Sequence, residues 1–226
     1  MNGSLYKITL SALLAIATFG CASGPDVPDW KTNSARQLSV FGTSLFKDDL
    51  RSANNAFESA KNSIASTGNL ELAAKLEIAK CGYLSASLNP LCNFDNKHAY
   101  FKYASEHDLA YLSFINGDWQ SNSLKGLEKK YSNVVDAKGE GAREKAVLSI
   151  ENPASKLIAA SAVYKQQKVS ILFLESVIKT SSDNGWKNPL LKWLKIALTH
   201  SEIKSNPNLL EYYTARYNLV SRSNLK

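Results

Sequence analysis

Four of the six prolines directly follow an asparagine, and this dipeptide constrains the fold more than any other feature of the chain. Proline disfavours α geometry in the residue before it but suits the first position of a helix, where its missing N–H needs no partner. Asparagine is a good N-cap, because its side-chain oxygen accepts a hydrogen bond from the first turn. Each pair therefore predicts a helix start. The pairs are Asn89–Pro90, Asn152–Pro153, Asn188–Pro189 and Asn206–Pro207.

Apolar residues recur every three or four positions after the last three pairs, as they do in amphipathic helices. After Pro189, for example, Leu190, Leu194 and Leu198 follow at this spacing. A further apolar helix begins near residue 170, so that helix starts lie near 153, 170, 189 and 207. Short connections between such helices predict antiparallel neighbours and hence helical hairpins.

The first half of the chain carries similar but less regular helix signals. Asn69 and Ser105 stand at N-cap positions, and Gly68, Gly117 and Gly185 stand where helices are expected to end. No segment alternates strongly enough to predict a strand. We therefore expect an all-α domain over residues 34–226, built of antiparallel helical hairpins. It would form an irregular α-solenoid or a bundle of about eight or nine helices.

Two-helix units of about 36 residues resemble the tetratricopeptide repeat and related α-solenoid classes. The consensus residues of that repeat do not follow. When Pro207 is aligned with the proline that closes each repeat, the expected alanines fall on Lys195 and Glu202. The resemblance implies an array of helical hairpins that lacks the repeat fingerprint.

The amino terminus has the order of regions found in secretory signals. Lys7 is followed by a thirteen-residue apolar segment from Ile8 to Gly20 and then by small residues around Cys21. This segment is too short to span a bilayer, which takes roughly 17 to 25 apolar residues. We expect residues 1–20 to be a signal peptide that is removed.

The residues Thr18-Phe19-Gly20-Cys21 resemble the bacterial lipoprotein box, in which a small residue precedes a cysteine that is lipidated and becomes the new N-terminus. Gly20 and Cys21 fit, whereas Thr18 and Phe19 depart from the usual leucine and small residue. Signal cleavage near residue 22 or 23 is the alternative. The resemblance implies palmitate-type acylation of Cys21 and, because alanine rather than aspartate follows the cysteine, the periplasmic face of the outer membrane. Residues 21–33 would form the lipidated cysteine and a proline-containing tether.

Cysteine parity supports the same interpretation. The chain has three cysteines, Cys21, Cys81 and Cys92, and an oxidising compartment usually pairs them. If Cys21 is acylated, Cys81 and Cys92 can form a disulfide with nothing left over. Two buried free thiols are the alternative. The stretch TSSDNGWKNPLLKWL, together with the region around these two cysteines, is similar to uncharacterised proteobacterial lipoproteins, a resemblance that implies no activity.

The chain shows no catalytic, cofactor-binding or metal-binding motif. His107 stands between two acids, but neighbours along a helix point in different directions, so the three form no predicted metal site. The tryptophans invite a binding interpretation. Trp119 and Trp186 each follow a glycine stop and are expected to pack on the finished helix. Trp30 would be exposed in the tether, and Trp193 is a possible interface residue with the lysines around it, Lys187, Lys192 and Lys195.

The net positive charge of the chain bears on which classes of partner it can bind. Removal of the signal lowers the net charge from +7 to +6, because Lys7 is its only charged side chain. The lysines are dispersed singly and the chain carries a secretory signal, so we expect no nucleic-acid partner. We expect a non-enzymatic lipoprotein of the outer membrane that acts as a scaffold or as an accessory or assembly factor of an envelope complex. The alternatives are a small-ligand or inhibitor-type binding module and an enzyme acting on the cell wall.

Overall fold

The computed structural model describes residues 27–89, 99–139 and 141–222. These residues form eleven α-helices and two short 3-10 turns, with no strand among them, which confirms the all-α prediction. The 3-10 turns span Phe101–Tyr103 and Ser121–Leu124. The helices are α1 (Asp29–Phe46), α2 (Leu50–Ala65), α3 (Leu70–Ala86), α4 (Glu106–Asn116), α5 (Lys129–Asp136), α6 (Ala142–Leu148), α7 (Pro153–Gln166), α8 (Ile171–Asp183), α9 (Lys187–Ala197), α10 (Ser201–Ser205) and α11 (Pro207–Arg222).

Two of these helices, α1 and α10, were not predicted. Helix α1 begins at Asp29, inside the segment 21–33 that was expected to be a tether, so the tether boundary is wrong. Pro28 immediately precedes the helix with φ −55°, and Asp29 places negative charge in its first turn, where the helix dipole favours it. Trp30 accordingly lies on a helix and is half-buried.

Three of the Asn-Pro pairs fall on described residues, and two of them start helices as predicted. The Asn152 side chain accepts a hydrogen bond from the Ser155 N–H at 2.9 Å, and Pro153 opens α7. At α11, the Asn206 side chain accepts from Asn208 and Leu209. Pro90 lies outside the described residues.

The third pair is wrong as a cap. Helix α9 begins at Lys187, so Asn188 lies inside its first turn. The Asn188 amide donates instead to the Leu45 carbonyl at 3.1 Å, near the end of α1. The Asn188 side chain therefore forms a tertiary hydrogen bond instead of the helix cap that its local sequence predicts. Proline at the next position is tolerated because a first-turn N–H has no intrahelical partner.

Glycine stops occur as expected after α4 and α8. Gly117 and Gly185 have φ of +80° and +63°, the left-handed conformation that terminates many helices. Of the tryptophans that follow, Trp119 packs back on the helix that it follows, α4, as predicted, whereas Trp186 packs against α1. Trp119 stacks on Phe114 and donates to its carbonyl at 3.0 Å, and Trp186 lies 4.7 Å from the ring of Phe46.

The core has two apolar clusters that share α3. The smaller cluster joins α1, α2 and α3 through residues such as Phe41 and Phe57. The larger one is centred on α7, whose segment from Leu157 to Val163 is fully or nearly fully buried. Tyr83 of α3 packs against both clusters.

Helices distant in sequence also contact one another. Helix α3 packs on α7, and α1 reaches α9. In a solenoid each unit contacts only its neighbours, so these contacts make the fold a bundle rather than an open array. The hydroxyls of Ser85 and Ser161, 2.6 Å apart and buried, join α3 to α7 at the centre of this bundle.

Candidate functional site

A cleft of about 300 Å³ opens on the surface where α3, α4, α5 and α7 meet, with Leu38 of α1 at its edge. Tyrosines from three different helices line it. Its size is at the low end of the range for small-molecule sites. The lining residues are Leu38, Lys75, Ile78, Ala79, Tyr83, His107, Asp108, Tyr111, Glu128, Lys130, Tyr131, Ser155 and Ile158.

Tyr111 and Tyr131 are neighbours in this lining, with ring centroids 5.5 Å apart. The ring centroids of Tyr131 and Phe114 are 4.8 Å apart, so Tyr131 also packs against the core. Burial raises the pKa of Tyr111 well above its ordinary value, and the neighbouring Tyr131 adds to the effect. Burial also raises the pKa of Tyr131 and of Tyr83. These hydroxyls therefore stay protonated at neutral pH and can both donate and accept hydrogen bonds.

Two glycines make room for the tyrosines. A Cβ on Gly82 would overlap the Tyr111 hydroxyl, and a Cβ on Gly42 would overlap the ring of Tyr83. Both glycines lie inside helices, where glycine is costly relative to alanine. The cost is explained by the close approach of each tyrosine to the helix backbone.

Two of the four charged side chains in the cleft, Glu128 and Lys130, are engaged with each other. Lys130 forms an ion pair with Glu128 at 2.7 Å and lies 4.9 Å from the centroid of the Tyr131 ring. Burial works against the charge on Lys130, but the hydrogen bond that the ammonium donates to Glu128, together with electrostatic attraction to Tyr131 and Glu128, raises its pKa. Asp108 accepts from the Ser105 hydroxyl at 2.6 Å. Within the described residues, Lys75 is exposed and has no ion pair.

This arrangement suits binding better than acid–base chemistry. A pair of carboxylates facing a shared substrate would be needed for glycoside hydrolysis. Here Asp108 is held by Ser105 at the start of α4, and Glu128 is held by Lys130. Across the described part of the chain, no group of three His, Cys, Asp or Glu side chains is placed to hold a metal ion.

The possible interface residue Trp193 is not at the surface, so that prediction is wrong for the tryptophan. Its side chain is fully buried and lies edge-on to Tyr164, with centroids 5.8 Å apart. The reason is the periodicity of α9, which puts Trp193 on the apolar face together with Leu190 and Leu194. Of the predicted lysine partners, Lys192 and Lys195 are exposed and Lys187 is half-buried.

The cysteine predictions rest mainly on undescribed residues. Cys81 is buried in α3, 7% exposed, whereas Cys92 and the lipidation candidate Cys21 lie outside the described residues. The Cys81–Cys92 disulfide and the acylation of Cys21 stay predictions.

The tyrosine cleft itself was missed by the sequence reasoning. His107 and its acidic neighbours were considered only as metal ligands or as part of a helix cap, and Asp108 belongs to the cap of α4, since its N–H donates to the Ser105 hydroxyl at 3.2 Å. Tyr83, Tyr111 and Tyr131 are far apart in sequence, so no local spacing marks them. The available signal was Gly42 and Gly82. A glycine within a helix indicates that a neighbouring side chain approaches the helix backbone closely.

A second surface feature is the C-terminal helix α11. Among its 16 residues only Tyr213 is buried, and the Tyr213 hydroxyl donates to Glu175 of α8 at 3.0 Å. Leu219 and Tyr212 are 75% and 55% exposed. The Arg216 guanidinium lies over the ring of Tyr212, 5.4 Å from its centroid. The helix thus presents large apolar and aromatic side chains to solvent.

None of the helices in the described ranges is long and apolar enough to cross a membrane. Comparison of the chain with protein-family models, with curated proteins and with solved structures gave no match.

Proposed function

We propose that the chain is a non-enzymatic lipoprotein of the outer membrane whose helical body binds a protein partner in the periplasm. Acyl chains of the palmitate type on Cys21 would hold it to the membrane, each buried methylene contributing about 0.8 kcal/mol. The body would act as a scaffold or as an accessory or assembly factor of an envelope complex. The N-terminal sequence supports the anchor, and the surface of α11 supports the partner.

The observation that carries the proposal is the exposure of Leu219 and Tyr212 beside Arg216 on α11. Single apolar residues scattered over a surface need no explanation. A helix that exposes several large apolar side chains and buries one residue does need one, and a partner-binding surface provides it. Tyrosine and arginine are the residue types that most often dominate binding energy at protein interfaces. The outer face of α11 is therefore the proposed partner-binding surface.

Cross-linking in native membranes tests this proposal. A photoreactive amino acid is placed at Tyr212 in one variant and at the exposed Lys179 of α8 in another, each with a C-terminal affinity tag. We expect one stoichiometric cross-linked protein from position 212 and not from position 179. Mass spectrometry of the same preparation shows whether Cys21 is acylated and whether Cys81 and Cys92 form a disulfide.

Leu219→Glu and Leu50→Glu form a matched pair for the same experiment. Both leucines are largely exposed, Leu50 being 56% exposed at the start of α2, so neither change should unfold the protein. Leu219→Glu is expected to release the partner, since a charge would be buried in the interface. Leu50→Glu should retain it. An unmodified Cys21 with no partner recovered from any variant would contradict the proposal.

The tyrosine cleft favours a second candidate, a small-ligand binding module. Concave shape, aromatic lining and a few polar groups are the usual properties of such sites. The two candidates use different surfaces, because the cleft is formed by α3, α4, α5 and α7 whereas the partner surface is α11. They are therefore separable by mutation.

A further inference from the structure

The cleft between α3, α4, α5 and α7 is mixed in its chemistry. Its apolar lining includes Ile78, Ile158 and the ring of Tyr83. Its polar lining includes Lys75 and the Glu128–Lys130 ion pair, whose ammonium lies over the ring of Tyr131. A ligand that filled this space would therefore need an apolar body and a polar end.

The charge of that polar end follows from which groups are already satisfied. Glu128 and Lys130 form an ion pair at 2.7 Å, and the Asp108 carboxylate accepts a hydrogen bond from the Ser105 hydroxyl in the first turn of α4, where the helix dipole favours negative charge. Lys75 is then the one lysine of the lining that has no ion pair among the described residues, and its side chain is exposed. An anionic group is the complement of such a site.

We propose that this cleft binds a small amphiphilic anion, with its carboxylate or phosphate head at Lys75 and its apolar body against Ile78, Ile158 and Tyr83. This inference goes beyond the scaffold proposal and does not depend on the lipid anchor or on α11.

Binding of four eight-carbon probes tests the charge assignment. The exported full chain carries Cys21→Ser, so that no acyl chain competes for the cleft. Octanoate, octyl phosphate, octanol and octylamine are titrated by calorimetry below their micelle concentrations. We expect both anions to bind, and the neutral and cationic probes to bind at least about tenfold more weakly, the size of one hydrogen bond to a charged group. Equal binding of octanol and octanoate would overturn the proposal.

Two lysine variants show whether Lys75 receives the head. Lys75→Met keeps most of the apolar stem and removes the charge, and should weaken octanoate binding by about tenfold. Lys129→Met is the matched control, because Lys129 is also exposed and starts α5 but does not line the cleft. Equal loss in both variants would mean that only the net positive charge attracts the anion, which contradicts a site at Lys75.

Isotope-labelled isoleucine methyl groups locate the ligand without changing the cleft. Octanoate should shift the NMR signals of Ile78 and Ile158, which line the cleft, and leave that of Ile203 unchanged. Ile203 is fully buried in α10 and is a suitable reference. Shifts confined to other isoleucines would place binding elsewhere and overturn the inference even if octanoate binds.

Discussion

At the scale of single residues, the close approach of a tyrosine to a helical glycine is the most specific feature of this protein. Tyr111 contacts α3 where Gly82 has no side chain, and Tyr83 contacts α1 where Gly42 has none. A flexible side chain could move away from an added methyl group at small cost. The rings of Tyr111 and Tyr83 are half-buried against the core, so they have less room to do so.

Gly82→Ala is therefore expected to lower the free energy of unfolding by about 1–3 kcal/mol, although alanine is the better helix former. Tyr111→Phe should relieve the overlap, because without the hydroxyl the nearest ring atom would lie 3.1 Å from the new Cβ. Chemical denaturation of the two single variants and the double variant measures this coupling. If Gly82→Ala costs the same in both backgrounds, the hydroxyl contact is not the cause.

At the scale of helices, the same residue type has two different roles at the start of α7 and α9. Asn152 accepts a hydrogen bond from the backbone of its own helix. Asn188 donates one to the end of α1. The first contact stabilises a single helix end, and the second holds two helices together.

Substitution of each asparagine by aspartate separates these roles. Asn152→Asp keeps the acceptor and adds a favourable charge at the helix N-terminus, so the free energy of unfolding should change by less than about 0.5 kcal/mol. Asn188→Asp replaces the donor with an oxygen that faces the Leu45 carbonyl, and should cost about 1–3 kcal/mol.

Denaturant midpoints of the two variants at neutral pH measure the difference. Asn152→Ala is the positive control and should cost about 1 kcal/mol through loss of the cap. A loss below about 0.5 kcal/mol for Asn188→Asp would show that the hydrogen bond to the Leu45 carbonyl contributes little to stability.

At the scale of the whole molecule, buried tyrosines link the stability of the bundle to alkaline pH. Burial raises the pKa of Tyr83, Tyr111, Tyr131 and Tyr213, and for Tyr213 the hydrogen bond to Glu175 adds to the effect. In the unfolded chain these groups titrate near 10. The folded protein therefore binds more protons than the unfolded one above that pH.

Stability from these tyrosines is fully present below about pH 10 and is lost as the pH rises further. Each tyrosine with a raised pKa should remove up to about 1.4 kcal/mol per pH unit in that range. Urea midpoints on either side of this range, with tyrosinate absorbance as a second signal, measure the loss. Tyr111→Phe should make the pH dependence shallower, whereas Tyr103→Phe, at an exposed position, should not. A pH-independent midpoint would contradict the assignment.

Local signals determined much of the secondary structure. The caps at Asn69, Ser105, Asn152 and Asn206 and the stops at Gly117 and Gly185 all depend on groups within a few residues, and all are present. The all-α class followed from the same signals, because helical spacing recurs along the chain and alternation does not. The prediction that Trp193 is an interface residue was wrong. It relied on the lysines nearby in sequence and gave too little weight to the helical spacing that places Trp193 on the buried apolar face.

The sequence by itself determined where most helices start and stop, because capping and periodicity are short-range effects. Only the tertiary structure decided that the helices form a bundle, that Asn188 binds α1 instead of capping α9, and that three distant tyrosines share one cleft. These outcomes depend on which helices pack together. That choice is made by the burial of whole helix faces, an energy summed over residues far apart in the chain.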